Sequence, residues 1–163
     1  MLNGGGGSPL ERALWHRNRY LEALEEVDLS GLPTEELAEG VKLIFSTGDL
    51  NGLQSARWMS ELDSRQAQGE LGPQTTIDWL RTHTHCSASA ADKQLTLARQ
   101  LPELLPTVEA VELGQIGFEQ ALAIAREVKE LPEAAQAELL AAAESPKCEP
   151  QQLRRLGDQI KHR

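Results

Sequence analysis

From Ser8 onward, apolar side chains recur every three or four residues in blocks separated by proline and glycine, the period of amphipathic helices. Ser8-Pro9-Leu10-Glu11 combines a capping box with proline at the first helical position. Leu10, Leu14, Leu21 and Leu24 share one face, which predicts a first helix ending near Val27. Leu32-Pro33-Thr34 restarts the pattern, with Thr34 as N-cap, Glu35 and Glu36 in the first turn, and Leu37, Val41 and Ile44 as its stripe. Thr47-Gly48-Asp49 predicts a break. The next helix then turns Leu50, Leu53, Trp58 and Leu62 inward and ends at Gly69 and Gly72-Pro73.

Beyond Pro73, Thr75 or Thr76 caps a short helix carrying Ile77, Trp79 and Leu80. Trp79, beside Ile77 and Leu80, is expected as a core anchor. Ser89-Ala90-Ala91-Asp92 predicts the cap of a helix with inner face Ala91, Leu95, Ala98 and Leu101, ended by Pro102. A short helix from near Pro106 buries Val108 and Val111 and stops at Gly114. Phe118, Ala121, Leu122, Ala125 and Val128 keep helical spacing up to Pro132, residues 133–144 are Ala-rich, and Leu153, Leu156 and Ile160 line a last helix after Pro150. Roughly eight short-to-medium helices result, an all-α fold.

Composition agrees with that reading. Three Trp, one Tyr and two Phe in 163 residues leave little material for a sheet, whereas Ala, Leu, Glu and Gln favour helix. Residues 1–8, with their glycine run, are expected to be a flexible tail, and 9–163 a single helical domain. Cys86 and Cys148 lack a disulfide-framework spacing, and no signal peptide or long apolar run is present, so a cytoplasmic protein without membrane contact is expected. A net charge of −9 repels nucleic acid at long range, and any DNA contact therefore needs a local basic patch.

Several residues together carry a resemblance: Trp79-Leu80, the Leu97-Ala98-Arg99-Gln100-Leu101 helix, Pro106, Val111-Glu112-Leu113-Gly114-Gln115-Ile116, and Leu131-Pro132. In order and spacing they resemble the N-terminal helical domain of the 13E12 repeat family of HNH endonucleases, domain of unknown function 222. The likeness runs from about residue 35 to the C-terminus and is strongest over 79–132. It implies a non-catalytic accessory domain that engages or positions DNA. The implied partners are DNA and an HNH nuclease module in the parent protein, a cysteine- and histidine-rich unit that has no counterpart in this chain. The alternative, which the negative charge favours, is a helical protein-interaction or dimerisation module, possible as a homodimer, without direct DNA contact.

Candidate chemistry is sparse. The segment from Leu153 carries Arg154, Arg155, Lys161 and Arg163 against one Asp, and is the local cluster whose sign suits phosphate; a solvated helix end is the competing reading. The Gly114-Gln115-Ile116 corner is compatible with a helix-turn-helix, whose second helix would turn Glu119, Gln120, Arg126, Glu127 and Glu130 to solvent, or with an ordinary hairpin. His83, His85 and Cys86 are weak metal candidates, because a closed zinc site needs a fourth ligand that the sequence does not place beside them. No Ser/His/Asp or Cys/His nucleophile pattern and no phosphate-binding glycine loop is present, so neither catalytic residues nor a cofactor are expected.

Overall fold

The computed structural model describes residues 7–163. Every regular element among them is helical: α1 (Pro9–Glu25), α2 (Thr34–Gln66), α3 (Thr76–Thr84), α4 (Ala88–Gln100), α5 (Leu105–Glu112), α6 (Phe118–Val128), α7 (Ala134–Ala143) and α8 (Pro150–Lys161), with 3-10 turns at Leu29–Gly31 and Leu101–Glu103. The all-α expectation holds. Residues 1–6 of the expected tail lie outside the described residues. Ser8, at its end, is the N-cap of α1: Glu11 N–H donates to Ser8 Oγ at 3.2 Å, and Ser8 N–H donates to Glu11 Oε2 at 2.6 Å.

Backbone contacts divide the chain into two compact units, Met1–Lys42 and Leu43–Arg163. The first holds α1, the 3-10 turn at Leu29–Gly31 and the start of α2, and none of its described residues is buried. Leu10, Leu14 and Leu21, expected on an inner face, are exposed, as are Leu37 and Val41. The Tyr20 hydroxyl oxygen is shielded from water and has no hydrogen-bond partner.

The second unit contains the core. Leu53, Ala56 and Met59 of α2, Leu80 of α3, Ala91, Leu95, Leu97 and Ala98 of α4, Val108 and Val111 of α5, Ile124 of α6, Leu139 of α7 and Leu153 of α8 form one apolar cluster. Helix α6 lies at its centre and packs against α4, α5, α7 and α8. It enters through a Schellman turn after α5: Gly114 takes φ 71°, and Gln115 N–H donates to the Ala110 carbonyl at 2.8 Å.

Four expectations are corrected. The break at Thr47-Gly48-Asp49 does not occur, and α2 runs through it. Asp49 caps another helix instead, since the Phe118 N–H that opens α6 donates to Asp49 Oδ1 at 2.9 Å. Ser46 and Thr47 direct their hydroxyls back to the Leu43 carbonyl, an intrahelical bond that does not end the helix. The inward face of α2 is Leu53, Ala56 and Met59, so Trp58 and Leu50, expected inside, lie exposed. Trp79 is half-buried at the edge of the core and stacks on His83, ring centroids 4.5 Å apart. The cap of α4 falls two residues earlier than expected, where Ala90 N–H donates to Ser87 Oγ at 3.1 Å.

Candidate nucleic-acid interface

Helix α8 is set by Pro150 in its first turn and by Glu149 N–H donating to Gln152 Oε1 at 2.8 Å. Leu153 and Gly157 point into the unit, which leaves Arg154 and Arg155 on the outward side, exposed. At Gly157 a methyl group would fall 2.5 Å from Glu127 Oε2, so the missing side chain is what allows α8 to lie close over α6.

The four cations expected to form one cluster separate into two pairs. Lys161 Nζ donates to Glu130 Oε2 at 2.7 Å, and Arg163 Nη1 reaches both carboxylate oxygens of Glu138 at 3.0 and 3.2 Å. These bonds tie the end of α8 to the end of α6 and to α7, and the Lys161 ammonium holds the Glu130 carboxyl below its ordinary value. Arg154 and Arg155 form no ion pair among the described residues.

Arg154 gains different neighbours. A groove of about 330 Å³ is lined by Lys93 of α4, Arg126 of α6 and Arg154 of α8, together with Glu119, Glu127 and Gln151. Neither Lys93 nor Arg126 is ion-paired among the described residues. Sequence reasoning missed the association because successive members of the three stand 33 and 28 positions apart in the chain and share no motif. Only the packing of α6 against α4 and α8 brings them together.

Glu127, expected on the solvent side of α6, is only 6% exposed. Burial pushes its carboxyl above the ordinary value, while Lys161, Arg126 and Arg154 draw it down and Asp158 raises it. Gln120, also expected outside, is half-buried and donates to the Cys148 carbonyl at 2.9 Å. Helix α6 packs against four helices and keeps Glu119 and Arg126 exposed, so of the side chains expected to turn to solvent Gln120 and Glu127 do not.

The metal candidates also separate. His83 Nδ1 donates to the Trp79 carbonyl at 2.8 Å, His85 is the left-handed C-cap of α3 with φ 57°, and Cys86 is half-buried. Among the described residues, no group of three or more His, Cys, Asp and Glu is placed to hold a metal ion. Cys86 instead lines an apolar groove of about 900 Å³ between α2, α3 and α4, beside Trp58, Met59, Leu62 and Trp79. Elsewhere on the same three helices Arg99 makes a two-point bond to Asp63 at 2.8 and 3.0 Å, and Thr76 Oγ1 donates to the same carboxylate at 2.6 Å. The Arg99 guanidinium keeps Asp63 below the usual carboxylate range, so this charge joins three helices and is structural. No described helix is long and apolar enough to cross a membrane.

Comparison with known proteins found no matching curated protein and no matching solved structure. A family model does match, over residues 51–163, which is more than half of the chain and covers nearly the whole unit that contains the core. The chain therefore belongs to the family described as Domain of unknown function (DUF222).

Proposed function

We propose that this chain is the non-catalytic N-terminal accessory part of an HNH endonuclease-type protein, and that it engages or positions DNA for a nuclease module of the parent. The nuclease association comes from the 13E12 resemblance. The observation that supports DNA contact is the set of cations without an ion pair among the described residues, Lys93, Arg126, Arg154 and Arg155, presented by α6 and by α4 and α8, which both pack on it. The proposed contacts are to phosphates, which charge alone can engage and which make up most protein–DNA contacts. Lys161 and Arg163 are held by exposed carboxylates, pairs that water screens, so phosphate competes for them at small cost.

Binding of a duplex across a salt series tests the reading. Each neutralised phosphate contributes a slope of about 0.9, so Arg154→Ala with Arg155→Ala reduces the slope by about 2 and weakens all sequences alike. Lys161→Ala with Arg163→Ala is expected to have the smaller effect, since those cations already have partners. A double substitution at Arg154 and Arg155 that leaves affinity and slope untouched, or no binding even at low salt, overturns the proposal.

A further inference from the structure

The first unit has a different surface, and its chemistry is self-complementary. Leu10, Leu14, Leu21 and Leu24 of α1, with Arg17 between them, follow alternating steps of four and three residues, the seam of a two-stranded coiled coil. Leu10, Leu14 and Leu21 are 56%, 42% and 47% exposed. A unit of about 40 residues with no buried side chain among its described residues has no core there to hold it together, and at that size association usually supplies one. The Tyr20 hydroxyl, shielded and without a hydrogen-bond partner, is a further unfavourable feature of the unit by itself.

Charge identifies the occupant of the seam. The first two-thirds of α1 carry Arg12, Arg17 and Arg19 against one carboxylate, Glu11, which is held by the Ser8 cap, whereas the other acidic residues lie later, at Glu22, Glu25, Glu26 and Asp28 and then at Glu35, Glu36 and Glu39. Arg12 and Arg17 have no carboxylate partner: Arg12 donates to the Gly7 carbonyl and Arg17 to Asn18 Oδ1. Glu25, Glu26, Glu35 and Glu36 form no ion pair among the described residues. A surface basic at one end and acidic at the other fits a second copy of itself turned through a two-fold axis.

We infer that α1 and the start of α2 form a homotypic docking surface on which a second copy of this chain binds antiparallel. Leu10 then meets Leu24 of the other copy, Leu14 meets Leu21, and the basic half of each α1 faces the acidic half of the other. A parallel pair would set arginines against arginines along its first half and glutamates against glutamates along its second, so the charges select the antiparallel one. Arg17 lies at the axis opposite its own copy. A single charged residue in the seam fixes register at a cost in stability, and its stem lies along the seam with the guanidinium at the rim.

Light scattering of the full chain over a concentration series tests the inference. The mass is expected to rise from one chain to two, and Leu14→Asp with Leu21→Asp is expected to hold it at one while the second unit keeps its helicity. Arg17→Leu is expected to tighten the dimer about tenfold or more, because it replaces facing charges with a buried leucine. Charge reversal guards against simple unfolding of α1: Arg12→Glu with Arg17→Glu, and separately Glu22→Lys with Glu25→Lys, each remain monomeric, and an equimolar mixture recovers the dimer mass. A wild-type chain that stays monomeric at every concentration, or a mixture that does not pair, overturns the inference. Neither outcome bears on the DNA reading, since Arg154 and Arg155 are unchanged in every variant.

Discussion

Glu127 carries a charge into a place where little water follows it. Its carboxyl is raised by burial, so the folded chain binds a proton there more readily than the unfolded chain does. Between the ordinary glutamate value and the raised one, stability therefore falls as pH rises, and the penalty persists at higher pH. Glu127→Gln keeps the shape and removes the charge. The variant is expected to melt above the wild type at pH 7, with the advantage shrinking to nothing as pH drops below about 4.3, the ordinary glutamate value. Thermal unfolding at a series of pH values checks this, and an advantage that grows on acidification would reverse the assignment. Asp63 acts in the opposite sense: its carboxyl is depressed by Arg99, so its contribution is present at neutral pH and is lost as pH falls through the depressed value. Neither behaviour was legible in the sequence. Helical spacing puts Glu127 beside Arg126 on an apparently solvated arc, and what encloses it is the space left by Gly157, thirty positions on and in another helix.

At the scale of elements, local signals were read well where the chain uses them locally. The capping box at Ser8, the cap at Thr75 and the Gly114 turn need only a few consecutive residues, and all three occur where the pattern puts them. The Thr47-Gly48-Asp49 break failed because Thr47 bonds back into its own helix and Asp49 serves a distant one. Asp49 caps α6, and three residues further along α2 Gly52 receives the ring of Phe118, whose nearest atom would lie 2.6 Å from an added methyl carbon. Gly48 faces open space, with nothing within 4 Å. The two glycines therefore respond to alanine with opposite signs. Gly48→Ala is expected to stabilise the helix by about 0.5–1 kcal/mol, through the entropy that glycine loses on folding. Gly52→Ala gains the same propensity but must displace an aromatic ring, which costs about 1–3 kcal/mol and leaves a net loss. Denaturant midpoints of the two variants decide it; equal shifts of the same sign would mean that Phe118 does not seat on α2.

At the scale of the molecule, the two units differ in what protects their backbones. Amides in α4, α6 and α8 sit over the apolar cluster, so exposing them to exchange requires opening that core. Amides in α1 have helical hydrogen bonds but no buried side chain beneath them, and local fraying suffices. Helix spacing predicted both sets of helices equally well. It did not distinguish a face that is covered from one that is not, because Leu10, Leu14 and Leu21 follow the same period as Leu95 and Ala98. Native-state hydrogen exchange is therefore expected to show strong protection in α4, α6 and α8 and weak protection in α1 when the protein is dilute. Because a second copy binds only the ordered form of α1, raising the protein concentration is expected to increase protection in α1 by mass action while leaving α4 and α6 unchanged. Protection in α1 equal to that of the core at the lowest concentration would mean that the first unit is stable alone. Protection that stays low and constant as concentration rises would mean that no second copy covers the seam.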